Sequence, residues 1–503
     1  MLESILPAPR DFFSLSGMFR TLAPIIIYII WNRYFRDARF NVPKLVTKTQ
    51  AALGDSKFDS LDDIMKECYQ KDKNRIYKVE HPHKDVVIIP AKYVDELKNL
   101  PDEQVNFLED INERFLGDYT KMIAPGGIHD ETLTHTIKNS LNSNLGNIMG
   151  EIQEEISYAF SQEIGECKDW TPSYPMTALM RIIALVSGRI FAGPELNRNE
   201  EYINCCLNFG VEAYNVIPAM RKYPIFLRPL AQYWVKECQK PLQAIETMKR
   251  LVAPVIAART TEKGPKPHDM MTWIMENSPP GKATDLEWQA KYQLQIATAA
   301  MHTTSNTMTH IFFDLAAHPE YLSILREEIL AVTAAEPLGV LSKTSLPLLK
   351  KMDSFIKESQ RMNPFSSTGF SRKILKPTRL SDGLLLPPGI TVTTPVSQIS
   401  MDPDIYSNPE VFDGLRFFKM RKKRGEENKW QYVTTSTESL NWGSGVHACP
   451  GRFFAANEIK CIVMYLIMNY DVKLEEGKGR PKNIWTEGGM IPDITGKVLL
   501  KKR

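Results

Sequence analysis

The run from Asp285 to Ala317 constrains the fold more than any other stretch of this 503-residue chain. Its apolar periodicity is helical throughout, and it stops only at His318-Pro319, where proline cannot continue a helix. At ~1.5 Å per residue such a helix is about 50 Å long, enough to cross the whole molecule. Its middle, Ala299-Ala300-Met301-His302-Thr303-Thr304-Ser305, is unusual for a helix interior. The alanines leave room for a close neighbour, and the Thr303 hydroxyl can bond the Ala299 carbonyl and loosen the ladder locally. From these residues alone, a buried helix with satisfied hydroxyls is the simpler reading.

From about residue 103 to 335 the pattern is mostly helical, punctuated by Pro, Gly and polar clusters near 125–127, 171–175, 193–198 and 264–268. Length alone suggests about three domains. No linker is long or biased enough to divide the chain, so a single domain is expected over residues 41–503. Short strands are predicted at Arg75–Val79 and Val86–Pro90, with a β-meander from Arg372–Leu375 and Leu384–Thr393. The fold class is mainly α with a small β region. A net charge of +3 gives no reason to expect nucleic acid as a partner. The seven cysteines are scattered, without CxxC or metal-finger spacing, as expected of reduced thiols.

Residues 1–40 read as a membrane anchor with a basic flank. Phe12–Trp31 is apolar but broken by Arg20 and Pro24, and its clean part, Thr21–Trp31, is about half the ~20 residues a spanning helix needs. Arg33, Arg36 and Arg39 follow, as on a cytoplasmic flank. The segment would span the bilayer if Phe12–Phe19 contribute and lie in its interface otherwise; a buried N-terminal helix is the alternative. Asn41-Val42-Pro43 then forms a stiff hinge.

Near the C-terminus, Asn441-Trp442-Gly443-Ser444-Gly445-Val446-His447-Ala448-Cys449-Pro450-Gly451 places one cysteine in a glycine-rich loop directly before a helical run, Arg452–Tyr470. Helix N–H groups and the dipole favour a thiolate there. Such a thiolate can be a nucleophile, a zinc ligand or an axial haem ligand. Upstream, Glu358 and Arg361 share one helix face, a spacing that by itself describes many solvated pairs. Arg416, in Phe412-Asp-Gly-Leu-Arg-Phe417, precedes a basic stretch, Lys419–Arg424.

Together these pieces resemble the cytochrome P450 family of haem-thiolate monooxygenases. Trp442, Gly445, Cys449 and Gly451 meet the family's F-x-x-G-x-x-x-C-x-G signature, with Trp in the Phe place. Glu358 and Arg361 meet its E-x-x-R motif, and Arg416 the arginine of P-x-x-F-x-x-x-R-F. The resemblance implies a buried ionic triad, Glu358–Arg361–Arg416, that positions the haem loop. It implies haem b with Cys449 as the axial iron ligand, where a thiolate pushes electron density onto iron and favours O–O cleavage. Trp442 would shield the sulfur, while His447 and Arg372 would hold haem propionates. His135 would be a third clamp, from a W/H-x-x-x-R helix in which Asn139 replaces the arginine and Lys138 is a neighbouring cation.

The family's oxygen-activating motif, [A/G]-G-x-[D/E]-T-[T/S], falls on Ala299 to Thr304, with Ala300 in the Gly place and His302 in place of the acid. Thr303, His302 and Thr304 form the implied catalytic set; His302 could shuttle protons at neutral pH or point away and leave the relay to water. Ala299–Ser305, Pro364–Arg372, Phe412–Phe417 and Arg189–Arg198 look like fungal members that tailor terpenoid natural products. That similarity implies a hydrophobic terpenoid or meroterpenoid substrate, walled by Ala299, Ala300, Met301 and the segments 210–225 and 364–370. It also implies an endoplasmic reticulum membrane location with the catalytic domain facing the cytosol. Electrons would come from NADPH-cytochrome P450 reductase; the basic charge of Lys419–Arg424 ahead of the cysteine loop offers a docking face for it, with a solvated loop the simpler reading of that stretch. A haem-thiolate isomerase without net monooxygenation and a haem-based sensor are the alternatives.

Overall fold

The computed structural model describes residues 23, 40, 42–46 and 60–503, except 81–83, 262–263, 337–338 and 487–488. Apart from Ala23, the predicted anchor at 12–31 lies outside the described residues. Among the described residues no helix is long and apolar enough to cross a membrane.

Eight long helices carry the architecture: α1 (Asn142–Glu163), α2 (Pro175–Phe191), α3 (Glu200–Arg221), α4 (Gln239–Thr261), α5 (Leu286–Ala317), α6 (Glu320–Thr333), α7 (Lys350–Met362) and α8 (Arg452–Asn469). The 32-residue α5 is the predicted long helix. Asp285 caps it by accepting the N–H groups of Glu287 and Trp288, and it ends where Pro319 follows His318. Helices α2, α3, α4 and α7 pack along α5. Ile182 and Ile183 of α2, Ile311 and Phe312 of α5, and Ile462 of α8 are fully buried in one continuous core.

A six-stranded sheet forms the second layer, from β1 (Lys44–Leu45), β2 (Tyr77–Glu80), β3 (Asp85–Ile88), β4 (Val105–Asn106), β5 (Gly369–Ile374) and β6 (Thr391–Thr394), in the order β1-β2-β3-β6-β5-β4. The first predicted strands lie within two residues of β2 and β3. The predicted meander divides differently. Leu385–Leu386 pairs with Thr378–Arg379, whereas β6 joins the large sheet beside β3 and β5. Pro387-Pro388-Gly389 separates the two, because prolines donate nothing to a ladder and Gly389 turns the chain at φ 95°. The β5–β6 register shifts between Gly369 and Arg372, a local irregularity of the kind that re-aims side chains. A second apolar cluster, including Val87, Phe370, Val392 and Val396, binds this sheet to its neighbours.

Candidate active site

The cysteine loop is a set of tight turns closed by its own backbone. Cys449 N–H donates to the Trp442 carbonyl at 2.8 Å and Ala448 N–H to the Gly445 carbonyl at 3.0 Å. Gly445 sits at φ 69°, and a Cβ there would lie 2.3 Å from the Lys98 carbonyl oxygen, so only glycine fits. Burial pushes the Cys449 thiol upward in pKa. Backbone N–H groups of Gly451 and Arg452 and the Arg452 charge oppose that rise, as expected where α8 begins three residues on. Trp442 donates from Nε1 to the Tyr432 carbonyl at 2.9 Å and meets the Tyr432 ring edge-on at 5.4 Å.

Behind the loop the three predicted charges meet. Arg361 forks onto Glu358 at 2.8 and 2.7 Å, and Arg416 Nε reaches both Glu358 oxygens at 3.1 Å. Glu358 is completely buried. The guanidiniums spend their remaining donors on carbonyls of Ser400, Ser407, Asn408 and Val411. A buried charge cluster is tolerable only with this degree of hydrogen bonding, and here it ties α7 to the segment leading toward the cysteine.

Arg372, on the shifted part of β5, is 2% exposed, and its guanidinium donates only to the Ser371 and Ser444 carbonyls, at 2.8 and 3.2 Å. Burial lowers its pKa to about 10. A buried cation bonded to carbonyls alone is suited to an anionic group. His447 places Nε2 2.6 Å from Asp102 Oδ1 and packs on Phe107. His135 is exposed. Lys138, next to it in a π-helical turn (Thr136–Leu141), reaches 3.5 Å toward the Val446 carbonyl of the cysteine loop. Asp102 and the π turn had no signature in the sequence.

Above the loop, α5 is buried over most of its middle, yet Ala299 is exposed and Gln295, Ala300, Thr303 and Thr307 are half-buried. Steps of four place them on one helical face. Gln295 shares a cavity of about 320 Å³ with Phe107, Met122, Val446, Ala448 and Pro450, so this face looks toward the cysteine loop. Thr303 Oγ1 donates to the Ala299 carbonyl at 2.9 Å and lies 3.2 Å from that of Ala300. His302 turns instead to α3, with a backbone hydrogen bond to Leu207 and Nε2 unpartnered. A Cβ on Gly210 would sit 2.8 Å from that nitrogen. Burial lowers the His302 pKa. The structure thus brings Thr303 to the open face and takes His302 off it; Thr304 and Met301 are buried. The donor set fits a thiolate-ligated haem: an enclosed sulfur aided by N–H donors, a buried guanidinium for an anion, and small side chains opposite. Cys449 and Arg372 are the residues that could hold it, whereas His447 directs Nε2 to Asp102.

Fold and site together define a haem-thiolate protein. A family model for cytochrome P450 matches residues 128–500. The cytochrome P450 monooxygenase prx8 of Penicillium rubens is 43% identical over 92% of this chain and 86% of its own. BOA4 of Botryotinia fuckeliana is 37% identical over 84% and 85%, and braC of Annulohypoxylon truncatum 34% over 96% and 97%. Both are also cytochrome P450 monooxygenases. The retinoic acid-bound cyanobacterial CYP120A1 shares the fold, with a TM-score of 0.66 at 18% identity over 88% of this chain and 94% of its own. The chain belongs to the cytochrome P450 family and is a monooxygenase that uses thiolate-ligated haem.

Proposed function

We propose that this monooxygenase oxidises a hydrophobic terpenoid or meroterpenoid intermediate of secondary metabolism, at a membrane surface, with electrons from NADPH-cytochrome P450 reductase. The observation that carries the reading is the run of small residues Ala299, Ala300 and Thr303, left open on the side of α5 from which Gln295 enters the cavity shared with Phe107, Met122 and the cysteine loop. Such a wall offers a bulky hydrocarbon close approach and few hydrogen bonds. Haem, when bound, supplies the dioxygen chemistry. Cys449 supplies the anionic ligand, with the N–H groups of Gly451 and Arg452 steadying its charge. Arg372 offers a buried cation to one propionate. Thr303 keeps its hydroxyl at the open face and can turn it from the Ala299 carbonyl toward a water or a polar substrate group. His302, packed against α3 at Leu207 and Gly210, leaves proton delivery to Thr303 and water. An endoplasmic reticulum location facing the cytosol belongs to the same proposal.

The haem-thiolate assignment is checked by the absorption spectrum of the reduced protein with carbon monoxide. The thiolate band is expected in the wild type and absent in Cys449→Ala. For the substrate class, cells expressing the chain are given candidate terpenoid scaffolds and their products analysed; no oxidised product from any of them would count against it. His302 lying off the open face favours a second reading, rearrangement without net monooxygenation. Steady NADPH consumption with substrate and reductase separates the two.

A further inference from the structure

Lys357, on α7 directly before Glu358, is as enclosed as the arginines of the site: it is 2% exposed. It makes no close ion pair. Its ammonium donates to the Gln431 carbonyl at 2.9 Å and to Ser439 Oγ at 3.0 Å, and lies 5.3 Å from the Phe417 ring centre. One turn earlier on the same face of α7, Asp353 accepts the Tyr432 N–H at 2.9 Å. The Gln431 carbonyl and the Tyr432 N–H belong to one peptide group. A cation and an anion four residues apart therefore grip the two ends of a single peptide plane, and charge-assisted hydrogen bonds of this kind are short and directional. Asp353 is itself anchored by Lys460 of α8 at 2.7 Å and Arg421 at 3.4 Å.

The gripped peptide leads directly to the thiolate loop. The next carbonyl along, that of Tyr432, accepts Trp442 Nε1 at 2.9 Å, and the Trp442 carbonyl accepts the Cys449 N–H at 2.8 Å. A phenylalanine at 442 would have no N–H to offer, so the connection depends on the tryptophan this chain carries there. We propose that Asp353 and Lys357 are positioning residues that orient the Gln431–Tyr432 peptide, and through Trp442 fix the loop holding the Cys449 thiolate. The proposal rests on the haem-thiolate reading, which fails separately if the wild type shows no thiolate band.

The test is a double-mutant cycle on the haem-loaded protein with Lys357→Met and Trp442→Phe. Two quantities are read well below the unfolding transition: the ratio of thiolate-ligated to thiol-ligated bands in the reduced carbon monoxide complex, and the haem reduction potential. Lys357→Met is expected to lower the band ratio at least about five-fold and to shift the potential, as is Trp442→Phe. The double variant is expected to fall no further than Trp442→Phe alone, because the connection is already cut. Additive losses overturn the proposal. So does a Lys357→Met protein that unfolds at lower temperature but keeps the wild-type band ratio and potential. If Lys357→Met does not fold with haem, Lys357→Gln, which fills the site but removes the charge that strengthens the bond, replaces it in the cycle. A smaller fall in band ratio is then expected alone, and none beyond that of Trp442→Phe in the double variant, with a wild-type ratio overturning the proposal.

Discussion

At the scale of single residues, buried titratable groups away from the haem loop set the pH response. Glu458 of α8 is wholly buried, accepts one hydrogen bond from Ser187 Oγ at 2.7 Å, and leaves Oε2 without a partner. Burial raises its pKa from 4.5 to about 8. Between those values the folded protein keeps a proton that the unfolded chain has released, so this group's contribution to stability falls as pH rises from 4.5 to 8. Below 4.5 both states are protonated and the contribution is level. Glu458→Gln keeps the shape and the acceptor but has no proton to lose. Its stability relative to the wild type is expected to grow from pH 5 to pH 8, by on the order of a few kcal/mol at most. Thermal unfolding at the two pH values measures this, and an equal gap at both would contradict it. The sequence offers no hint of Glu458, because its burial depends on α2 lying across α8. The Thr303-to-Ala299 hydrogen bond, by contrast, was readable from a local i, i−4 relation. The direction of His302 was not: it is decided by Gly210, a residue 92 positions earlier in the chain that leaves space on α3.

Among the elements, α7 does the most joining. Its sequence advertises Glu358 and Arg361 as a same-face pair, but the pair is legible as buried only once Arg416 arrives from a distant segment. Asp353 and Lys357 lie one turn and more before Arg361, and their partners at 431–439 have no periodicity or motif to announce them. Regular elements were readable because their signals are local, as with the Asp285 cap and the proline stop of α5. The β6 strand was misdivided because pairing partners, unlike helix caps, lie far apart in sequence. Glu358→Gln is the decisive change on α7, since it leaves two buried guanidiniums without a counter-charge. Breaking a buried pair in this way costs about 3–5 kcal/mol. The expected outcome is a lower unfolding midpoint and a reduced yield of haem-loaded protein. An unchanged midpoint would mean that Arg361 and Arg416 are satisfied by the carbonyls around them.

At the scale of the whole molecule, one surface stands apart. Beyond the end of α3, Ile225, Phe226, Leu230, Tyr233 and Trp234 are 72%, 65%, 57%, 76% and 57% exposed within ten residues of chain. This stretch forms a short turn, Ile225–Leu227, and a single helical turn, Arg228–Ala231, which buries Ala231 against α3 and leaves the larger side chains outside. Lys222, Lys236 and Lys240 are exposed on the flanks. Aromatic and aliphatic side chains rimmed by lysines suit the boundary between headgroups and acyl chains, and clustered exposure of this kind marks an interaction surface. If this surface seats on lipid, residues 41–503 should bind vesicles of phosphatidylcholine and phosphatidylserine without the N-terminal segment. Burying Phe226 and Trp234 is worth about 1.5–3 kcal/mol each. Phe226→Asp with Trp234→Asp should therefore reduce vesicle co-sedimentation at least about ten-fold, while the carbon monoxide spectrum stays that of the thiolate form. Equal sedimentation of variant and parent would assign the binding to another surface of residues 41–503, and no sedimentation of either would leave membrane association to residues 1–40.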